Sequence, residues 1–235
     1  MIEVIKRLPI FKGLGEKELT VLAERAIRKR FPKESIIVQE DDEGDSLMVI
    51  LSGRVKVVLH SEEGKEIILS ILKDGDFFGE MSLLDGQPRS ATVVAMEDST
   101  LLIIQRNDFL YQIEKNPTIA KAIFAEMSRR MRRADERIGN LILLDVYGRI
   151  ARFLLDLART DGAKVEGGIM IEKRPTQQDI ASIVGTSRET VSRVLNELNR
   201  RKLISISGKS ITIFGTEEIF DHEMAVRNLS KDLDI

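Results

Sequence analysis

The sequence predicts an α+β chain in three structured parts: an N-terminal β-sandwich or barrel, a long helix, and a C-terminal module of two short helices followed by a β-hairpin. Three observations predict it. Aliphatic and β-branched runs recur between residues 34 and 105, punctuated by glycines at a spacing of about ten residues. A heptad pattern of apolar residues follows Pro117. Two capped helical segments separated by a glycine occupy residues 176–198.

Composition excludes several classes of site. The chain has 235 residues, 43% of them hydrophobic, so it has enough apolar side chains for ordinary domain cores. It contains no cysteine, which excludes disulfides, thiol catalysis, cysteine-ligated zinc and iron–sulfur clusters. His60 and His222 belong to no cluster with metal-ligand spacing, so no metal is expected. No catalytic constellation is found, and we expect a protein that is not an enzyme.

Targeting and charge point to a particular kind of partner. Neither a signal peptide nor a membrane span is found, so we expect a cytoplasmic protein with no membrane partner. The formal net charge is only −2, but residues 146–214 carry 12 basic and 7 acidic side chains, a net of +5. The segments on either side of them are acidic. A basic segment between acidic ones is typical of one module that contacts phosphate.

The N-terminal third is predicted to be a closed or two-layered β structure. Its many short strands with regular turn residues indicate a sandwich or barrel. Glu62, Glu63, Gly64 and Lys65 stand between two of the strands and predict a hairpin turn. The predicted strands cover residues 36–38, 47–51, 55–59, 67–72, 91–96 and 101–104.

A long helix is predicted after Pro117. Apolar residues there follow one another in alternating steps of four and three, with strongly charged flanks. A stripe this narrow favours a coiled-coil partner, for which a second copy of the chain is the first candidate. Packing against the chain's own barrel is the alternative. The stripe consists of Ala120, Phe124, Met127, Met131, Ala134, Ile138 and Leu141.

The last structured segment predicts a winged helix-turn-helix and hence double-stranded DNA as a partner. Thr176 and Ser187 are good N-caps for two helices, and Gly185 allows the tight turn between them. Residues 203–207 and 210–214 predict the hairpin that forms the wing. The predicted elements divide the chain into four parts. They are a sensor domain (1–116), a dimerisation helix and hinge (117–145), a DNA-binding domain (146–215) and an acidic extension (216–235).

A helical wheel selects the DNA-facing side chains. Arg188, Glu189 and Arg193 fall opposite the apolar face of the second helix, near its N-terminus, which enters the major groove in helix-turn-helix proteins. Arginine suits guanine, and glutamate accepts from the cytosine amino group. The first helix and the wing tip are expected to contact phosphate. The predicted DNA-binding residues are Thr176, Gln178, Ser187, Arg188, Glu189, Arg193 and Lys209.

A second constellation lies between predicted strands, at residues 78–93. Gly79 permits close approach of the backbone, and the N–H groups of residues 80–82 form an anion site if a short helix begins there. Arg89 supplies a fork of donors for phosphate, and Glu80 an acceptor for a sugar hydroxyl. Taken alone, Arg89 is also compatible with a surface ion pair. The ligand-binding residues predicted from this segment are Gly79, Glu80, Met81, Ser82, Arg89 and Ser90.

With this segment, the long helix and the Ser187-Arg-Glu-Thr-Val helix start, the chain resembles the family of cyclic AMP receptor protein and fumarate-nitrate reductase regulators, and within it the cyclic AMP receptors. The resemblance covers about residues 8–215. It implies a double-stranded β-helix (jelly-roll) sensor barrel, cyclic AMP as effector, and a homodimer on a TGTGA-like inverted repeat. It also implies RNA polymerase as a partner. Residues 79, 80, 89 and 90 would hold the ribose and cyclic phosphate.

The chain departs from that family where the base is bound. In the cyclic AMP receptors a Thr-Ser pair on the dimer helix contacts adenine, whereas the matching positions here are Ala134 and Asp135. The resemblance therefore adds Asp135 to the predicted ligand-binding residues, as an acceptor for an adenine amino group or for guanine N–H groups. Cyclic GMP, a cyclic dinucleotide, another metabolite and effector-independent action therefore stay open, as does a redox regulator whose barrel binds no nucleotide. A cyclic-nucleotide-regulated enzyme is the weakest alternative.

Overall fold

A computed structural model describes residues 2–214 of the chain; the predicted acidic extension, 216–235, lies outside the described residues. The chain divides into two compact units, Met1–Arg133 and Ala134–Ile235, and each is described by itself. None of the described helices combines the length and hydropathy that crossing a bilayer requires.

The first unit is a jelly roll with helices at both ends of its sequence, as the predicted fold class requires. Its strands form two four-stranded antiparallel sheets, of order β1-β8-β3-β6 and β2-β7-β4-β5. Its helices are α1 (Ile2–Lys6), α2 (Glu16–Arg25), α3 (Glu80–Asp85), α4 (Arg106–Lys115) and α5 (Pro117–Leu143), the last of which continues into the second unit. Its strands are β1 (Ile27–Phe31), β2 (Ile36–Val38), β3 (Ser46–Ser52), β4 (Val55–His60), β5 (Glu66–Leu72), β6 (Phe77–Phe78), β7 (Thr92–Ala95) and β8 (Ser99–Gln105).

Two of these strands were not predicted. β1 is exposed at four of its five residues, and basic side chains occupy its middle, so it shows no hydrophobic alternation. It lies at the sheet edge and pairs with β8 in antiparallel register. β6 is two residues long, too short for a periodic signal. The predicted hairpin between β4 and β5 is confirmed by their antiparallel pairing.

The long helix α5 has two apolar faces rather than one. Ile119, Ile123 and Met127 pack in the core cluster of the first unit. The predicted coiled-coil stripe included Met127, but the structure places Met127 on the face of α5 that contacts this core. Phe124 and Met131 are 65% and 68% exposed, and Ile138 and Leu141 are also exposed. The reason is spacing: residues four apart line the face on the barrel, whereas 124, 131 and 138 repeat every seven residues on another face.

The second unit is a helical module with a four-stranded antiparallel sheet of order β11-β12-β10-β9. The predicted wing is the β11–β12 hairpin, which pairs with β10 in the same sheet. The β9–β10 hairpin was not predicted, because the glycines at 167 and 168 suggested only a break. Its elements are α6 (Val146–Asp161), β9 (Ala163–Val165), β10 (Gly168–Ile171), α7 (Gln177–Val184), α8 (Arg188–Arg200), β11 (Ile204–Ser207) and β12 (Ser210–Phe214).

Candidate effector site and DNA-binding face

A buried arginine lies at the centre of the first site. Arg89 is only 4% exposed, and it donates from Nη1 to the Gly79 carbonyl at 2.9 Å and from Nη2 to the Ser46 carbonyl at 2.8 Å. Burial lowers the pKa of the guanidinium, while the charges of Asp45 and Glu80 oppose that change. Within residues 2–214 no carboxylate forms an ion pair with Arg89. A buried cation held by two carbonyls and the Ser46 hydroxyl, with no carboxylate paired to it among the described residues, suits an incoming anion.

Two glycines let the backbone surround this guanidinium. Gly79 has φ +85° and precedes α3, and a Cβ there would collide with Arg89 Nη1. A Cβ at Gly44 would collide with the side chain of Ser82 and lie 3.2 Å from Arg89 Cζ. Both positions therefore require glycine, because a side chain would collide with Arg89 at position 79 and with Ser82, beside Arg89, at position 44.

Glu80 supplies a buried acceptor that still lacks a donor. The residue is 3% exposed, and its Oε1 accepts from Arg130 Nη1 at 3.0 Å. Its Oε2 is buried and has no hydrogen-bond partner among the described residues. Desolvation raises the pKa of Glu80, against the opposing charge of Arg130. Because buried polar atoms are nearly always paired, Oε2 is suited to a hydroxyl of a bound ligand.

Arg130 connects α5 to this site and was missed by the sequence analysis. Besides Glu80, it donates to the Phe77 carbonyl, and its Nε donates to Glu126 at 3.2 Å. Its guanidinium also lies 5.0 Å from the centroid of the Phe77 ring. Four arginines stand between residues 129 and 133, and no sequence pattern singles out the one that faces the barrel.

The remaining predicted ligand-binding residues divide into three groups. Ser82 is buried and donates to the Pro88 carbonyl at 3.2 Å, so it connects α3 to the residue that precedes Arg89. Met81 and Ser90 are exposed neighbours, with Ser90 Oγ 3.8 Å from Met81 Sδ. Asp135 lies on the exposed part of α5 that belongs to the second unit. The first unit thus brings together six of the seven predicted residues, and the role of Asp135 stays a prediction.

The DNA-binding face begins with two caps. Thr176 and Asp179 form a reciprocal capping box at the start of α7, in which the Thr176 hydroxyl accepts from the Asp179 N–H at 3.1 Å. Ser187 Oγ accepts from the Thr190 N–H at 3.2 Å at the start of α8. Gly185 between them has φ +72°. The caps fix where each helix begins, and hence which side chains of α8 face outward.

The exposed face of α8 carries the predicted reading residues. Arg188, Glu189 and Arg193 are exposed, and the opposite face is buried in the core of the unit. Hydrogen bonds from its own backbone N–H and from Ser187 lower the pKa of Glu189. Lys209 is exposed between β11 and β12, and Gln178 is exposed on α7. The surface concavity at this face is lined by Gln177, Arg188, Glu189, Ser192, Arg193, Asn196, Glu197 and Arg200.

Gln177 and Arg200 also line this concavity, and the sequence did not single them out. Nor did it single out Arg149 on α6, which contacts the turn between α7 and α8. Arg149 Nε donates to the Val184 carbonyl at 2.9 Å and Nη1 donates to the Leu144 carbonyl at 3.1 Å. One side chain on α6 therefore joins the residue after α5 to the turn between α7 and α8. In the described part of the chain no side-chain group suits a metal ion.

Comparison with known proteins assigns both sites to families. The cyclic nucleotide-binding domain family matches residues 28–116, and the Crp-like helix-turn-helix domain family matches residues 148–218. The first match contains the buried arginine and the carboxylate with the free oxygen. The second contains both caps and the wing.

Whole-chain relatives agree. The cAMP-activated global transcriptional regulator CRP of Escherichia coli O6:H1 is 42% identical over 189 residues, 80% of this chain and 89% of the relative. A CRP-like cAMP-activated global transcriptional regulator of Mycobacterium tuberculosis is 32% identical over 219 residues, 93% of this chain and 98% of the relative. The c-di-GMP responsive regulator CLP of Xanthomonas campestris has a similar structure, with a TM-score of 0.74 and 25% identity over 86% of this chain and 100% of that one. The chain belongs to the CRP/FNR family and is an effector-gated, DNA-binding transcription regulator, not an enzyme.

Proposed function

We propose that this regulator is gated by a cyclic nucleotide, with cyclic AMP as the first candidate. We propose further that it binds a TGTGA-like inverted repeat as a homodimer, in the cytoplasm and in contact with RNA polymerase. The observation that carries the proposal is that the buried Arg89 guanidinium and the unpartnered Oε2 of Glu80 belong to the same site, where Arg89 donates to the carbonyl of Gly79, the residue before Glu80. A cyclic nucleotide has both a phosphate for the first and a ribose hydroxyl for the second.

The residues present fit that ligand. A cyclic phosphate is a monoanion, which a forked guanidinium recognises through two parallel hydrogen bonds. The absence of Cβ atoms at Gly44 and Gly79 leaves the backbone close to the same guanidinium. Oε1 of Glu80 accepts from Arg130 on α5, and Oε2 has no donor among the described residues. Glu80 can therefore accept from a sugar hydroxyl through Oε2 and keep its ion pair with Arg130.

The base is less constrained than the phosphate, and two facts favour testing a second effector. Ala134 offers no side-chain hydrogen bond, and Asp135 offers an acceptor only. A carboxylate pairs with the N1–H and amino group of guanine as readily as with the adenine amino group. Cyclic GMP is therefore the second candidate, and a cyclic dinucleotide the third, given the regulator from X. campestris described as c-di-GMP responsive.

The homodimer is supported by the exposed stripe on α5. Phe124, Met131 and Ile138 repeat every seven residues and are more than half exposed in the single chain. Large apolar side chains in such a register pair with the same stripe of another helix. Two paired chains then present two recognition helices, whose half-sites lie about 34 Å apart, one turn of the duplex.

The proposed mechanism uses α5 as the moving part. Arg130 fixes the first half of α5 to Glu80 and Phe77, and Arg149 fixes the residue after α5 to the turn that precedes α8. Effector bound at Glu80 and Arg89 favours one register of the paired helices, and that register sets the spacing of the two recognition helices. The effector shifts the balance only by its difference in affinity for the two registers.

The test is operator binding with and without cyclic AMP, cyclic GMP and cyclic di-GMP, by wild type and by Arg89→Ala. We expect one nucleotide to tighten specific binding by wild type and Arg89→Ala to lose at least tenfold in nucleotide affinity, about 1.4 kcal/mol. Arg28→Ala is the control, since it removes the same charge from an exposed position on β1. If Arg89→Ala titrates like wild type, the assignment of the site is wrong.

The DNA half of the proposal has its own test. Arg193→Ala should cost about 1–3 kcal/mol on a TGTGA-like site and relax the preference at one base pair. Arg159→Ala, an exposed arginine of α6, is the matched control. An equal loss on every sequence would make Arg193 a phosphate contact instead of a base-reading residue.

A further inference from the structure

A second arginine, Arg106, lies beside the effector site although it is outside the segment at residues 78–93 that the sequence singled out. It is the first residue of α4, far in sequence from the other groups. Its Nη2 donates to the Gly44 carbonyl at 2.7 Å and to the Ser82 carbonyl at 3.0 Å, and its Nη1 donates to the Leu83 carbonyl at 3.3 Å. The guanidinium therefore connects the acidic loop at residues 41–45 to α3.

The main chain reinforces this connection. The Arg106 N–H donates to the Asp45 carbonyl at 2.7 Å, so both the backbone and the side chain of one residue hold the acidic loop. On α3 the Ser82 carbonyl accepts from the Gly86 N–H at 3.2 Å as well as from Arg106, and the Leu83 carbonyl is among the last four of the helix. The Arg106 guanidinium gives the Leu83 carbonyl a donor and places positive charge at the helix C-terminus.

The two segments that Arg106 connects, the acidic loop and α3, lie next to Arg89. Gly44 and Ser82, two of its acceptors, are in such close contact that a Cβ at Gly44 would collide with Ser82. Arg89 donates to Ser46, two residues after Gly44, and to Gly79, the residue before α3. Both carbonyls that orient Arg89 thus directly adjoin the two segments that Arg106 connects, since Ser46 follows the acidic loop and Gly79 precedes α3. The positive charge of Arg106 also contributes to the lowered pKa of Arg89, after burial.

We propose that Arg106 is a positioning residue of the effector site: by joining the acidic loop to α3 it fixes the two carbonyls that aim Arg89 at an anionic phosphate. This inference rests on the proposed function, because it concerns the same site. Arg106 acts through Arg89 and adds a second positive charge near the bound anion. A long-range contact of this kind has no signature in a local motif.

The experiment is a titration of the full-length protein with cyclic AMP and cyclic GMP by calorimetry, using Arg106→Lys and Arg106→Gln. Lysine keeps the positive charge but not the two nitrogens that donate to separate carbonyls, and glutamine keeps neither. We expect Arg106→Gln to lose more than tenfold in affinity for whichever nucleotide the wild type binds, and Arg106→Lys to recover part of that loss. Binding of both variants at wild-type affinity would overturn the inference.

A double-mutant cycle with Arg89→Lys distinguishes a positioning role of Arg106 from a merely structural one. If Arg106 acts through Arg89, Arg106→Gln should cost much less in the Arg89→Lys background than in wild type. Equal fold-losses in both backgrounds overturn the positioning role. If Arg106→Gln does not fold, Arg106→Lys carries the same cycle. A wild type that binds neither nucleotide overturns cyclic AMP and cyclic GMP as effectors and the inference with them, whereas binding by wild type with unchanged variants overturns the inference alone.

Discussion

The two sites of this regulator are built in opposite ways. The DNA-binding face is assembled from one stretch of chain, in which caps, turn, recognition helix and wing all lie within residues 176–214. The effector site draws Ser46, Glu80, Arg89, Arg106 and Arg130 from five separate elements or loops. The first is exposed and awaits a partner on its surface, whereas the second is buried and holds its charges away from water. The difference teaches that local pattern encodes the first site, while the fold creates the second.

The largest expected effect tests whether the two regions are energetically separate. Leu195 is fully buried in the core of the second unit, so Leu195→Ala should cost that unit about 2–5 kcal/mol. Denaturant unfolding followed by circular dichroism measures the loss. Leu84→Ala, the same change at an exposed position, should cost no more than about 0.5 kcal/mol. Nucleotide affinity should survive Leu195→Ala, and its loss would show that the two regions fold as one.

The next effect tests the crowding around Arg89. Gly79→Ala places a side chain at φ +85° and against the guanidinium, so it should cost about 1–3 kcal/mol of stability and weaken nucleotide binding at least tenfold. Gly64→Ala is matched in backbone strain, with φ +76°, but has no neighbour within 4 Å. Calorimetric titration of both variants isolates the collision. Equal losses of nucleotide affinity in the two would contradict a site closed around Arg89.

A smaller effect tests the local character of the DNA-binding face. Thr176→Ala removes the N-cap of α7 and should lower the free energy of unfolding by about 1 kcal/mol, with a matching loss of DNA affinity. Thr176→Ser keeps the hydroxyl and should restore most of both. Thermal melts and operator titrations provide the measurement. A normal melt with lost DNA affinity would instead identify Thr176 as a direct contact.

The smallest effect is the pH dependence of Glu80. Because its pKa is raised in the folded protein, its contribution to stability is fully present below the ordinary pKa of glutamate and is lost as the pH rises through the raised value. The stability difference between wild type and Glu80→Gln should therefore fall as the pH rises above about 4.3, the ordinary pKa of glutamate. Urea unfolding at several pH values measures it. A difference that rises with pH would mean that Arg130 outweighs desolvation.

Local residue patterns found most of the DNA-binding module because its chemistry is local. A cap acts on the N–H groups two and three residues later, and a helical face is fixed by a period of about 3.6 residues. Arg149 escaped prediction because it reaches backbone carbonyls 35 residues away. The β9–β10 hairpin escaped because its short strands carry no alternation that separates them from a loop.

By itself, the sequence determined the order of the parts, the turn and caps of the recognition helix, the seven-residue apolar repeat of α5 and the arginine most suited to phosphate. Only the tertiary structure decided that Arg89 is buried instead of ion-paired at the surface, that one oxygen of Glu80 is left without a donor, and that Arg106 and Arg130 complete the surroundings. The physical reason is range. Hydrogen bonds within a helix or turn join neighbours in the chain, whereas desolvation and charge compensation depend on which distant segments the jelly roll packs together.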